Sequence, residues 1–244
     1  MSNHPDDIRP FHFKQFSLYH HKSSMKVGTD AILLGVWADV NSSETVLDIG
    51  SGCGIISLLI ACRSNAIVDA VEIDFASFEE SRENFKNSDF SDRLSVAQTN
   101  FIDFVKTCKK EYDLIISNPP FFSNNNFKPK DSQRKDARHT DTLSFEQLCD
   151  GVSKILKPKG KFCVVIPRNE RIKFLEVASL FNLHLQKQLS IHPKRNQAAN
   201  RFNLQLGFDT PSEVQKENIY IRENDLTFTP QFVNLLKKYY IGWD

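Results

Sequence analysis

Short apolar runs alternate along this chain with stretches whose apolar residues recur every three or four positions. The first pattern marks buried strands and the second amphipathic helices. From Glu44 onward the alternation is unbroken, which predicts a parallel sheet covered by helices on both faces. Strands are expected over 66–73, 94–97, 112–117, 161–166, 183–191 and 202–208. Helices are expected over 75–88 and 170–181, up to about Lys109, and from a Ser144 cap to about Leu156. The last two strands have no helix between them and should form an antiparallel pair. Asn218 to Arg222 reads as one more extended piece, and Phe232, Leu235, Leu236 and Tyr239 as a closing helix. Residues 1–28 show no clean period and read as an arm, after which Thr29 or Asp30 is suited to cap a helix.

The first strand of the alternation carries Val46, Leu47, Asp48 and Ile49 and runs into Gly50-Ser51-Gly52-Cys53-Gly54. A helical pattern of Ile55, Ile56, Leu58 and Leu59 follows at once. Glycine accepts positive φ and has no Cβ to hold a ligand off the backbone. The loop also opens on a helix N-terminus, whose free N–H groups favour a polar or anionic group. A nucleotide-like cofactor fits such a loop, and so does a bare strand-to-helix turn. The spacing G-x-G-x-G is not the G-x-G-x-x-G of a pyrophosphate site, which weighs against NAD and FAD. Glu72 ends the second strand, where an acid binds ribose hydroxyls in nucleotide-binding sheets. The strand over 112–117 delivers Asn118-Pro119-Pro120-Phe121 at the edge where open α/β sheets bind ligands. Two prolines make a stiff corner, Asn118 brings an acceptor and a donor, and Phe121 a flat apolar face. These parts suit a planar group bearing an amine.

With 244 residues, 40% hydrophobic, the chain can bury a full core, and 1–244 reads as one domain made of the arm and a core over 29–244. No signal pattern or membrane-length apolar run is present, so a cytoplasmic protein is expected. Five cysteines form no C-x-x-C pair and seven histidines no ligand-spaced cluster, so neither a disulfide framework nor a metal is expected. The net charge of +1 excludes bulk coating of nucleic acid but hides local asymmetry. The arm mixes Lys14 and other bases with Phe11, Phe13, Phe16 and Tyr19, which either face RNA or pack on the core. Residues 123–141, with Arg138, form a polar stretch too long for a simple connection. The loop over 192–201 holds Lys194, Arg195 and Arg201 and no acid, which suits phosphate.

Asp48-x-Gly50-x-Gly52-x-Gly54, Glu72 and Asn118-Pro119-Pro120-Phe121, in this order, resemble the class I S-adenosylmethionine-dependent methyltransferases acting on exocyclic or amide nitrogens. Further stretches look like the bacterial tRNA1(Val) adenine-37 N6-methyltransferases: the arm 11–16, the run from Met25 to Trp37, Asp113 to Pro120, Ala137-Arg138-His139-Thr140, and Cys163 to Pro167. The resemblance covers nearly the whole chain. It implies a seven-stranded Rossmann-like sheet with an antiparallel terminal pair, S-adenosyl-L-methionine as cofactor, an anticodon-loop adenine as target, and a monomer without metal.

By that resemblance Gly28, Thr29 and Asp30 close over the methionine end, beside Asp48, Gly50, Gly52 and Gly54. Glu72 holds the ribose, Asn100 and Phe101 flank the adenine, and Asn118, Pro119, Pro120 and Phe121 grip the target base. Lys14, Arg138, Lys194, Arg195 and Arg201 are the RNA-contact candidates. The chain departs from the pattern at Phe121, where tyrosine is common, and at Asn100, where an acid is usual. Phe121 also occurs in rRNA guanine-N2 methyltransferases, and protein glutamine methyltransferases use a similar corner. Both remain alternatives, as does a non-catalytic RNA-binding relic of the fold.

Overall fold

The structure, a computed structural model, describes residues 9–120 and 143–243. Its elements in chain order are β1 (Phe11–His12), β2 (Ser17–Leu18), α1 (Thr29–Trp37), β3 (Thr45–Ile49), α2 (Ile55–Arg63), β4 (Ile67–Glu72) and α3 (Phe75–Lys86). There follow β5 (Leu94–Gln98), α4 (Phe101–Thr107), β6 (Tyr112–Ser117), α5 (Phe145–Ile155), β7 (Leu156–Pro167) and α6 (Arg171–Leu180). The chain then adds β8 (His184–Lys194), β9 (Arg201–Gly207), β10 (Gln215–Arg222) and α7 (Pro230–Leu236).

The main sheet has the order β10-β8-β9-β7-β6-β3-β4-β5. β9 is antiparallel to both β7 and β8, and every other pairing in this sheet is parallel. The expected antiparallel ending is therefore present. The sheet has eight strands rather than seven because β10, from the extended piece around Asn218, adds itself in parallel beside β8. Its first half alternates exposed polar residues without an apolar face, so nothing local marks it as a full strand.

Strand alternation sends Val46 to one face and Leu47 and Ile49 to the other, and each face is buried. One core is formed by the arm, α1, α2, Phe85 of α3 and Phe232 and Leu236 of α7. The other is formed by Phe101, by α5 through Leu148, Cys149 and Val152, and by α6 through Phe174. Ser144 caps α5 in a full capping box with Gln147, as its sequence predicts. Neither Thr29 nor Asp30 caps α1. Extended Gly28 is the N-cap without a side-chain bond, which leaves the Asp30 carboxylate free for Arg201 at 3.1 Å.

The arm is not irregular throughout. β1 and β2 pair as a short antiparallel hairpin that turns Phe13 and Phe16 inward, with ring centroids 4.7 Å apart. Phe13 meets Tyr240 at 5.5 Å, and the Lys14 amide donates to the Tyr239 carbonyl at 2.7 Å. Those two phenylalanines are core residues, and of the two readings of the arm packing holds for them.

Candidate functional site

Three strands bring the site together at the carboxyl edge of the sheet. β3 and β4 pair in register Ile49↔Val71, and β3 and β6 in register Ile49↔Ser117. Gly50, Glu72 and Asn118 are each the next residue on, so they stand side by side with about 4.8 Å between neighbouring strands. The Ser117 hydroxyl donates to the Ile49 carbonyl at 2.9 Å and ties the two strand ends together.

Gly50, Gly52 and Gly54 have φ of 72°, 56° and 85°, the left-handed region that a side chain resists. Gly54 is also needed for space, since a Cβ there would meet Phe85 Cε1 at 2.4 Å. A Cβ on Gly50 or Gly52 would meet nothing within 4 Å, so the protein leaves the volume over these two open. The loop is held from below: the Gly50 amide donates to the Val71 carbonyl at 2.9 Å and the Gly52 amide to Glu72 Oε2 at 2.8 Å. Glu72 Oε1 accepts the Asp74 amide at 2.9 Å.

Asp48 lies fully buried beneath the loop. Its Oδ2 accepts the Ser57 hydroxyl at 2.7 Å, while among the described residues Oδ1 has no hydrogen-bond partner, and neither has the buried Ser51 hydroxyl. Burial pushes the Asp48 carboxyl up to about 7, against the pull of Ser57 and with the help of the Glu72 charge. Burial likewise pushes the Cys53 thiol up to about 12, which keeps it protonated and inert.

Beyond Glu72 the Thr99 amide donates to the Glu72 carbonyl at 3.0 Å, so the turn holding Asn100 sits beside the end of β4. Asn100 caps α4, its side-chain oxygen accepting the Ile102 amide at 2.8 Å. Phe101 opens α4 at this turn, but its side chain is turned away from it. Its ring is buried between α4 and α5, where it fills the space above Gly151. Ile73, 44% exposed directly after Glu72, is the apolar surface sequence reasoning overlooked. Its signal is a bare isoleucine between two acids at a strand end.

Asn118 is half-buried, Pro119 buried and Pro120 exposed. Phe121 and Arg138 lie outside the described residues. Of the other RNA-contact candidates, Arg195 makes two bonds to Glu223 at 2.8 and 3.1 Å, and Arg201 pairs with Asp30. Lys14 reaches the Trp243 carbonyl at 3.4 Å. Two unforeseen residues of α3 brace the loop and the arm. Asn84 donates to the Cys53 carbonyl of the loop at 2.9 Å and exchanges two bonds with the backbone of Tyr19, and buried Glu80 accepts the amides of Lys22 and Ser23 in the arm. Both sit in a helix that reads as charged on one face, and no periodicity marks them for this use.

An open glycine cradle, an unpartnered carboxylate oxygen under it, an acid at the next strand end and Asn-Pro-Pro on the strand beside it suit the methionine, ribose and reactive methyl of S-adenosyl-L-methionine. Together with this sheet order they define a class I S-adenosylmethionine-dependent methyltransferase. Among solved structures the fold is similar to a predicted O-methyltransferase from Agrobacterium tumefaciens, with a TM-score of 0.65 at 19% identity over 86% of this chain and 96% of that one. It is also similar to the T. thermophilus 16S rRNA N2 G1207 methyltransferase, with a TM-score of 0.57 at 19% identity over 82% of this chain and 50% of that one.

Residues 20–188 match the methyltransferase small domain. The tRNA1(Val) (adenine(37)-N6)-methyltransferase of Trichodesmium erythraeum is 40% identical over 236 residues, 96% of this chain and 98% of that relative. That of Phocaeicola vulgatus is 39% identical over 95% of this chain and 97% of that relative. The chain belongs to the tRNA1(Val) (adenine(37)-N6)-methyltransferase family.

Proposed function

We propose that this protein methylates N6 of adenine 37 in the anticodon loop of tRNA1(Val), using S-adenosyl-L-methionine. The observation that carries the reading is the β3–β6 register, which sets Asn118 beside Gly50. Bound over Gly50 and Gly52, the cofactor supplies an electrophilic methyl on its sulfonium. Asp48 lies under the methionine end, with Gly28, Thr29 and Asp30 closing over it, and Glu72 holds the ribose hydroxyls. Ile73 and the Asn100 amide bracket the adenine ring, Asn100 as a donor because its oxygen is committed to α4.

The target adenine, splayed out of its loop, stacks on Phe121. The Asn118 side-chain oxygen and the Pro119 carbonyl accept its two N6 hydrogens, which turns the nitrogen lone pair toward the methyl. Pro119 and Pro120 make that acceptor pair rigid, and orientation of this kind supplies much of a transfer rate. A tRNA substrate would place the protein in the cytoplasm, and no helix among the described residues is long and apolar enough to cross a membrane.

The test is incubation with the cofactor and unmodified tRNA1(Val), followed by nucleoside mass spectrometry. N6-methyladenosine is expected, and its loss when adenine 37 is replaced by guanine. N2-methylguanosine in rRNA, or methyl groups on a protein glutamine in place of tRNA, would overturn the reading.

A further inference from the structure

Beyond Asn118 the sheet continues through β7, β9, β8 and β10, and each strand brings a cation to the carboxyl edge. Arg168 follows the end of β7, Arg201 opens β9, and Lys194 and Arg222 pair in register at the ends of β8 and β10. These cations are not equivalent. Arg201 is held by Asp30, and Arg195 beside Lys194 by Glu223. Among the described residues Arg168 and Lys194 make no ion pair. Arg222 lies over the Phe228 ring at 4.2 Å and donates to the Leu226 carbonyl, with no carboxylate partner.

The uncompensated charge therefore forms a line. With neighbouring strands about 4.8 Å apart, Arg168, Lys194 and Arg222 stand roughly 5, 14 and 19 Å from β6 across the sheet. We infer that the tRNA backbone leaves the catalytic corner in this direction, with phosphates on Arg168, Lys194 and Arg222. The inference rests on the reading of Asn118 as the place where the target base is held. A polyanion fits because the acids Glu223 and Asp30 in this stretch are already paired with Arg195 and Arg201, which leaves Arg168, Lys194 and Arg222 without an ion-pair partner among the described residues.

The experiment measures binding of unmodified tRNA1(Val) at several salt concentrations to the wild type, to Arg168→Ala/Lys194→Ala, and to Arg222→Ala. The slope of log affinity against log salt should flatten by about 0.8 for each cation removed. KM for tRNA should rise while cofactor affinity and kcat at saturating tRNA stay near wild type. Arg222→Lys, which keeps the charge without the flat stack on Phe228, should retain the wild-type slope even if Arg222→Ala weakens the fold. An unchanged slope in the double variant of an enzyme that methylates tRNA overturns the line alone. A wild type that transfers no methyl to tRNA overturns the reading of the site and the line with it.

Discussion

Gly52 donates its backbone N–H to the Glu72 carboxylate at 2.8 Å, so the acid at the end of β4 shapes the glycine loop. On the proposed reading Glu72 has two tasks, holding the loop, as the Gly52 bond shows, and accepting the ribose. Hydrogen bonds to charged groups contribute about 1.5–3 kcal/mol each. Glu72→Ala should therefore weaken cofactor binding by about 10- to 100-fold in calorimetry. Glu72→Gln should lose less, since its side-chain oxygen can still accept from Gly52 while its carboxamide NH2, a donor, opposes the Asp74 N–H. Wild-type affinity in Glu72→Ala would remove this residue from the site.

Asn118 stands on the same edge, beside Gly50. If it accepts an N6 hydrogen as proposed, Asn118→Ala removes one of two acceptors and leaves the loop untouched. Methyl transfer should fall by about a thousandfold or more, on the scale of losing an orienting or charge-stabilising group. Cofactor binding should stay within a few-fold. Full activity would sink the assignment.

Asp48 gives the free protein a pH signature. The folded state holds the Asp48 proton up to about pH 7, while an unfolded aspartate releases it near 3.8. Folding therefore takes up a proton between these values, and this contribution to stability falls as pH rises across that window. Thermal unfolding without cofactor at pH 5, 6 and 7 should show the decline, and Asp48→Asn should flatten it. An equally steep decline in the variant would place the titration elsewhere.

The glycines should separate by mechanism. Gly52→Ala imposes a left-handed alanine, a cost of about 1–2 kcal/mol, and projects a methyl into the open cradle. Its Tm should drop by a few degrees and its cofactor affinity by much more than that loss explains. Gly54→Ala adds a clash with the buried Phe85 ring to the same strain, so its Tm should fall further than that of Gly52→Ala. Equal Tm losses would mean that Phe85 moves aside without cost.

The residues that the sequence marked best are those whose signal is local. A strand ending in Gly-x-Gly-x-Gly, an acid at the next strand end and Asn-Pro-Pro at a third lie on one edge because parallel strands must end together. Phe101 shows the limit: a residue opening a helix can point to the site or to the core, and only the neighbouring Gly151 decides. Only the resemblance points to Asn100, and the use of its side-chain oxygen as a helix cap shows in the structure alone. The arm was least legible, because Phe13 is buried by Tyr240 from the other end of the chain and no local pattern carries that contact. The pairing of Arg195 with Glu223 and of Arg201 with Asp30 is likewise set by strands distant in sequence.

The position of β9 governs how the enzyme comes into being on the ribosome. β8 is synthesised first but lies outside β9, so until residues 201–207 emerge β7 has a bare apolar edge and β8 has no neighbour to join it to the sheet. Such an edge is a template for pairing with other chains, so a nascent chain stalled there is exposed to aggregation. The strand that closes the gap also carries Arg201 to Asp30 at the start of α1. The last inner strand to arrive thus anchors one of the first helices made, and in the newborn chain the start of α1 is tied down only as the sheet is sealed.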